Sequence, residues 1–368
     1  MKKSLLITLD FPPNMGGVAA YWQRVCHGFS EAELVVLTSV SRSPDRIGDV
    51  QVLKHQLLAH FFWPHWTLGL IRTFFVVRKH TIRQLIAAQL LPLGTIAYVL
   101  FKLTGLPYIV QVYGMDIVAA QQSPRKAKLA RLILSSAHAV VANSEATAKL
   151  AQSCAGKEIR VVVVYPVPEV VAASSSTVSE LRSRYALNDK RVILTIGRLV
   201  ERKGQDKLIE ALPAIRQKVP NAVYVIVGDG PDQGRLSTLA KEQGCAIVFT
   251  GAVSEEQRNA WFSLCEVFAM PSRPLAGDIE GFGMVYLEAA AFAKPVVAGN
   301  SGGVTEAVED GVTGLCVDGS SATEIAAAVA KLLKEPTFAK HLGEEGKRRI
   351  ETKWNWEEML NRFRQTLL

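Results

Sequence analysis

The 368-residue chain predicts two α/β domains in tandem, each a doubly wound, Rossmann-like parallel sheet, the two facing across a cleft. Three observations carry this. The length asks for two domains at about 150 residues each. Short β-branched runs alternate with helical stretches through the first half, and the same alternation restarts with cleaner signals in the second. Between them, Tyr165–Thr177 (YPVPEVVAASSST) combines prolines with a Ser/Ala run, as a linker does. At 49% hydrophobic and 21% charged, the composition is globular and excludes a disordered, collagen-like or coiled-coil chain.

In chain order, the apolar run Leu5–Leu9 is broken by Thr8 and stops at Asp10 and Pro12, too short for a signal-peptide core. A first buried strand over Ser4–Leu9 is expected instead. A helix over Val18–Phe29 and a strand over Leu34–Thr38 follow. The uncharged stretches 55–71 and 84–101 approach the length of a membrane span. His60, Pro64 and His65 interrupt the first, and Gln84, Gln89, Pro92 and Gly94 divide the second into strand, turn and helix. Strands at Tyr108–Val112, Ala139–Ala142 and Arg160–Val164 then alternate with helices at Ser123–Ser136 and Glu145–Ser153.

In the second half, strands are expected at Val192–Ile196, Ala222–Val227, Ala246–Thr250, Glu266–Met270 and Pro295–Ala298. Helices are expected at Gln205–Lys218, Leu236–Gln243, Glu255–Ser263, Gly283–Phe292 and Thr323–Leu333. Trp354, Trp356, Met359, Leu360, Phe363 and Leu367 recur at helical spacing near the end. The expected division is a domain over 1–168, a linker over 169–179, a second domain over 180–351 and a terminal helix over 352–368.

Charge is unevenly placed. Residues 1–176 hold 18 Lys and Arg against 9 Asp and Glu, whereas residues 177–368 hold 24 against 25. The basic first half suits an anionic membrane surface, or is a solvated face with no partner. No nucleic-acid-binding module is recognisable, so nucleic acid is not expected. Five cysteines without a C-x-x-C pair suggest reduced thiols and a cytoplasmic protein, peripheral to the inner face of the membrane if the basic half docks there.

Three segments carry chemistry. Pro12-Pro13-Asn14-Met15-Gly16-Gly17 follows the first strand and precedes a helix, so the N–H groups of Gly16 and Gly17 can approach a phosphate. Gly197 to Gly204 (GRLVERKG) places Arg198, Arg202 and Lys203 after a strand, where cations would face the cleft and stabilise a diphosphate leaving group. Glu280-Gly281-Phe282-Gly283-Met284 leads into a helix that carries Glu288 two turns on; two carboxylates flanking a glycine-rich helix start can accept hydrogen bonds from sugar hydroxyls.

These patterns, G-R-x-x-x-x-K-G, then V-G-D-G-P, E-G-F-G-M-V-Y-L-E-A, G-N-S-G-G-V-T-E-A-V and D-G-x-T-G, resemble the retaining glycosyltransferases of family 4, with the GT-B fold. Through D-I-E-G-F-G-M-V-Y-L-E-A they resemble its phosphatidylinositol-mannoside mannosyltransferase type. The resemblance covers essentially the whole chain. It implies a hexosyltransferase moving mannose from GDP-mannose to a lipid or glycan acceptor, with UDP-sugar use or a catalytically inactive sugar-nucleotide binder as alternatives. It further implies that Arg198 and Lys203 bind the donor diphosphate with Gly17 approaching it. Glu280 would contact the transferred sugar and Glu288 the ribose. Backbone at Phe282, Gly283 and Met284 would line the sugar and phosphate pocket, and backbone near Val253 the base. The first domain would be the acceptor side, and the last helix would cross back to it.

One position departs from the family pattern: Tyr113 stands where many members carry His. A phenol can bond a sugar hydroxyl but is a poor base near neutrality. No D-x-D pair occurs near a site edge, so no metal and no cofactor is expected, with Arg198 and Lys203 in the metal's place. Phe61, Phe62, Trp63, Trp66, Phe74 and Phe75 lie beside Arg72, Arg78, Lys79 and Arg83, a combination suited to anionic lipid headgroups or to a helix packed on the sheet.

Overall fold

The computed structural model describes residues 2–14, 16–59, 63–169, 171–245 and 247–368. His60 of the 55–71 stretch, Phe61 and Phe62 of the aromatic cluster, Met15 of the Gly16-Gly17 turn and Ala246 of an expected strand lie outside the described residues. The chain divides into two compact units, one of Met1–Val167 with Trp356–Leu368 and one of Pro168–Asn355.

In the first unit the strands are β1 (Ser4–Thr8), β2 (Leu34–Thr38), β3 (Arg46–Ile47), β4 (Val50–Lys54), β5 (Gln84–Ala87), β6 (Tyr108–Val112), β7 (Ala139–Ala142) and β8 (Val161–Val163). They form one sheet in the order β3-β4-β2-β1-β5-β6-β7-β8, parallel except for β3. Helices cover both faces of such a sheet, which is why β1, β2, β5, β6 and β7 are buried at every position and are mostly apolar, with Ser4, Thr8, Thr38, Gln84 and Gln111 as buried polar exceptions. The uncharged 84–101 stretch is β5, a turn and the front of the helix Leu93–Thr104, as expected. Among the described residues no helix is long and apolar enough to cross a membrane.

In the second unit the strands are β9 (Arg191–Ile196), β10 (Ala222–Val227), β11 (Ile247–Gly251), β12 (Val267–Met270), β13 (Val296–Gly299) and β14 (Gly314–Val317), all parallel, in the order β11-β10-β9-β12-β13-β14. Helices Gln205–Lys218 and Ala322–Lys334 bury Leu208, Leu212, Ile325 and Val329 against this sheet.

The unit boundaries differ from the sequence reading at two places. Helix Ser175–Arg184 starts inside the 169–179 stretch expected as linker, its Ser174 side chain accepting the Thr177 N–H. The second unit runs on through helix Pro336–Lys353 to Asn355. Trp354 therefore packs there, edge-on to Phe282 at 6.3 Å, while helix Trp356–Arg364 belongs to the first unit. In that unit Phe363 meets Trp22 and Phe29 at 6.0 and 6.1 Å, and the Arg24 guanidinium lies 4.6 Å from the Trp356 ring.

Candidate active site

In the second sheet the connections run outward from β9 in one direction and from β12 in the other, so the carboxyl ends of these adjacent parallel strands open side by side at a switch point. A crevice at such a point is where open α/β sheets bind ligands. The loop after β9 carries Arg198 and Lys203; the loop after β12 carries Glu280 and ends at Gly283.

Two glycines allow these loops to close up. Gly204, at φ +76°, ends the short turn Glu201–Lys203; a Cβ there would lie 2.1 Å from the Pro271 carbonyl oxygen. Gly283, at φ +82°, starts helix Met284–Ala291; a Cβ there would lie 2.4 Å from the Tyr286 ring. Tyr286 anchors that helix beneath β12, its hydroxyl donating to the Met270 carbonyl at 2.7 Å.

Lys203 and Glu280 come together: Nζ is 2.6 Å from Oε2, and both side chains are buried. Burial alone would raise the Glu280 pKa, but the charges of Lys203 and Arg202 outweigh it and hold the carboxyl below its ordinary value. The Glu280 backbone is fixed as well. Its N–H donates to Ser301 Oγ at 3.3 Å, and its carbonyl accepts from the Gly303 N–H at 3.1 Å. Arg198 is exposed in the same loop and makes no ion pair among the described residues, which leaves its guanidinium available to an anion. Arg202, expected to face the ligand, instead ties the loops together, its Nε 2.9 Å from Asp278 Oδ1 and 3.3 Å from the Ile279 carbonyl.

Glu288, buried on the first turns of helix Met284–Ala291, accepts from Arg258 Nη1 at 3.0 Å. Burial raises its pKa, and the pull of Arg258 does not cancel that. Val253 is half-buried just before helix Glu255–Leu264. A capping box fixes that helix start: Ser254 Oγ accepts the Gln257 N–H at 3.2 Å, and Gln257 Oε1 accepts the Ser254 N–H at 3.3 Å. Phe282 is buried, and Met284 is half-buried at the first helical position.

The remaining expected residues lie in the first unit. Gly16 and Gly17 are exposed between β1 and helix Gly17–His27. Tyr113 follows β6, and burial, with Tyr21 and Asp116 nearby, pushes its phenol well above the ordinary value, so it keeps its proton at neutrality. Asp116 shapes that loop by accepting the N–H groups of Tyr113 (3.0 Å), Ile117 (3.1 Å) and Leu90 (3.2 Å), which binds the loops after β5 and β6 to one carboxylate. The sequence reading did not find Asp116, Arg258, Asp206 or Arg273. Only Asp206, an acid in a helix first turn directly after a basic loop, carried a local signal. Among the described residues no three His, Cys, Asp or Glu side chains gather as metal ligands.

Residues 178–349 match the family described as glycosyl transferases group 1, and residues 16–166 match the glycosyl transferase 4-like domain. The chain is 32% identical to a GDP-mannose-dependent alpha-(1-6)-phosphatidylinositol monomannoside mannosyltransferase of Mycobacterium tuberculosis (strain ATCC 25618 / H37Rv), over 98% of this chain and 96% of that protein. The chain belongs to the group 1 glycosyltransferases. This glycosyltransferase is also 31% identical to the protein of that name in Mycolicibacterium smegmatis, over 96% and 94% of the two chains. Among solved structures it is similar to Anabaena Alr3699/HepE in complex with UDP and glucose (TM-score 0.83, 21% identity, 100% and 99% covered) and to sucrose-phosphate synthase from Thermosynechococcus elongatus (TM-score 0.84, 20% identity, 99% and 98% covered). The glycosyltransferase has the GT-B fold, two parallel-sheet α/β units in one chain.

Proposed function

We propose that this glycosyltransferase moves mannose, with retention, from GDP-mannose to a glycolipid of the phosphatidylinositol-mannoside class. The observation that carries the donor site is the buried Lys203–Glu280 pair between the two switch-point loops, with exposed Arg198 beside it. On this reading Arg198 and Lys203 take the diphosphate and stabilise the charge that develops as the glycosidic bond breaks. Glu280 orients the sugar, Glu288 accepts from the ribose hydroxyls, and backbone near Val253 meets the base. The N–H groups at Phe282, Gly283 and Met284 complete the cradle at the helix start. No metal or other cofactor is assigned a part. The choice of GDP, mannose and glycolipid follows the names of the relatives matched over nearly their whole length.

The first unit is proposed to serve the acceptor side and to rest on anionic lipid. Its exposed Trp63, Ile71, Phe75 and Leu103 and its basic excess support this. Transfer of labelled mannose from GDP-mannose to phosphatidylinositol monomannoside, run beside UDP-glucose, tests the donor and acceptor together. A melting-temperature rise with GDP and none with UDP or ADP is the expected binding result. A rise confined to UDP overturns the choice of donor. Co-sedimentation with anionic vesicles and none with neutral ones is the expected outcome for the lipid surface.

A further inference from the structure

We propose that Asp206 and Arg273 are positioning residues, a buried clamp that joins the loop after β9 to the loop after β12 and so sets the spacing of Lys203 and Glu280. The inference rests on the donor-site reading above.

Arg273 meets Asp206 through two parallel bonds, Nη1 to Oδ1 and Nη2 to Oδ2, each 2.8 Å, with the two residues 5% and 4% exposed. A bidentate fork fixes distance and angle together, which a single contact does not. Asp206 sits in the first turn of helix Gln205–Lys218, directly after Lys203 and Gly204; Arg273 opens the segment that leads to Glu280. The Arg273 N–H also donates to the Arg202 carbonyl at 2.8 Å, and its Nη2 reaches Glu201 Oε1 at 3.3 Å. Arg202 then returns to Asp278 at 2.9 Å. The two loops are thus laced by successive cross-links, Lys203–Glu280 among them. A further arm comes from the β10 side: Arg235 holds Asp232 through two bonds of 2.6 and 2.7 Å and touches Asp206 at 3.3 Å.

A buried ion pair contributes little net stability compared with apolar side chains of similar volume. What the clamp supplies that an apolar pair could not is a fixed relation between two loops that have no shared strand or helix. Catalytic groups must hold their places to well within an ångström, and misplacement by about 1 Å reduces rate by around a hundredfold. The clamp therefore acts on turnover more than on nucleotide affinity, because the transition state is the more exacting ligand.

The test compares Asp206→Leu/Arg273→Met, which removes both buried charges together, with Arg273→Lys, which keeps the charge and gives up the two-bond fork. Each purified full chain is measured for melting temperature, GDP affinity by calorimetry, and donor turnover by nucleotide release from GDP-mannose or UDP-glucose, whichever the parent uses. Expected are folded proteins with GDP affinity within about threefold of the parent and turnover lower by about tenfold or more. Parental turnover in a folded variant of either kind overturns the proposal. If the double variant fails to fold, Arg273→Lys decides alone. Lys203→Ala and Glu280→Gln run alongside: if they keep full turnover the donor-site reading has failed, whereas their loss with clamp variants intact rejects the clamp only.

Discussion

Lys203 and Glu280 meet 2.6 Å apart as a cation and a carboxylate whose side chains are only 11% and 10% exposed. A pair this well shielded cannot lose one member without leaving the other charge stranded. Lys203→Ala and Glu280→Gln are therefore each expected to destabilise the second unit by about 3–5 kcal/mol, Glu280→Gln the less of the two because its amide oxygen still accepts from Lys203. Both are expected to lower turnover by about a hundredfold or more. Urea midpoints and steady-state rates check the two effects separately.

The acids of the second unit respond to pH in opposite senses. Glu280 and Asp206 are held below their ordinary values against the effect of burial, by Lys203 and by Arg273 respectively. Their contribution is fully present above the unfolded carboxylate range of about 3.9–4.3 and is lost as pH falls through the lower folded values. Glu288 is the reverse: burial raises it, so its contribution is fully present below the unfolded carboxylate value of about 4.3 and is lost as pH rises through the raised folded value. Glu288→Gln is thus expected to melt no lower than the parent at pH 7, and to lose that relative gain at pH 4. On the proposed ribose role of Glu288, GDP affinity should fall about tenfold, a charge-assisted bond becoming a neutral one. Melting curves at the two pH values and a binding titration measure these outcomes.

Gly283→Ala combines a left-handed backbone with a Cβ 2.4 Å from the Tyr286 ring. A loss of about 2–4 kcal/mol is expected from strain and overpacking together. The displaced Tyr286 would also release its bond to the Met270 carbonyl, so nucleotide binding should weaken in the same variant. Chemical denaturation and calorimetry report both.

Phe363→Ala should act on the first unit alone. The ring packs against Trp22 and Phe29, and its removal is expected to cost about 3–5 kcal/mol. Tryptophan fluorescence during unfolding should show the first unit melting earlier while GDP still protects the second.

Much of the fold was legible because local pattern and tertiary role agree. Helix Gln205–Lys218 and strand Ala222–Val227 follow the sequence reading residue for residue, since each buried run is bounded by glycine or a polar turn. The hairpin Arg46–Lys54 was not read: β3 is two residues long and β4 is buried only at alternate positions near its start. Helix Pro336–Lys353 escaped for a different reason. What it buries includes Ala339, Gly343 and Gly346, small residues that leave a weak apolar stripe. At the site, Lys203, Glu280 and Glu288 stood in glycine-marked motifs, whereas Arg258, which pairs with Glu288, comes from another helix and Arg273, which pairs with Asp206, from another loop, and no local spacing links them. Arg202 was misread because composition records a cation in a loop and not the direction in which it points.

The first unit is closed by Trp356–Leu368, a segment made after every residue of the second. During synthesis, then, the order of completion inverts the order of the chain. The second unit can finish while the earlier-made sheet still waits for its last helix, with Trp22 and Phe29 uncovered until Phe363 emerges. The segment Trp356–Leu368 therefore acts as a completion signal for the first unit. A chain cut short before Trp356 would bury its second sheet normally and yet present an apolar face to chaperones and proteases, so such copies can be recognised and cleared.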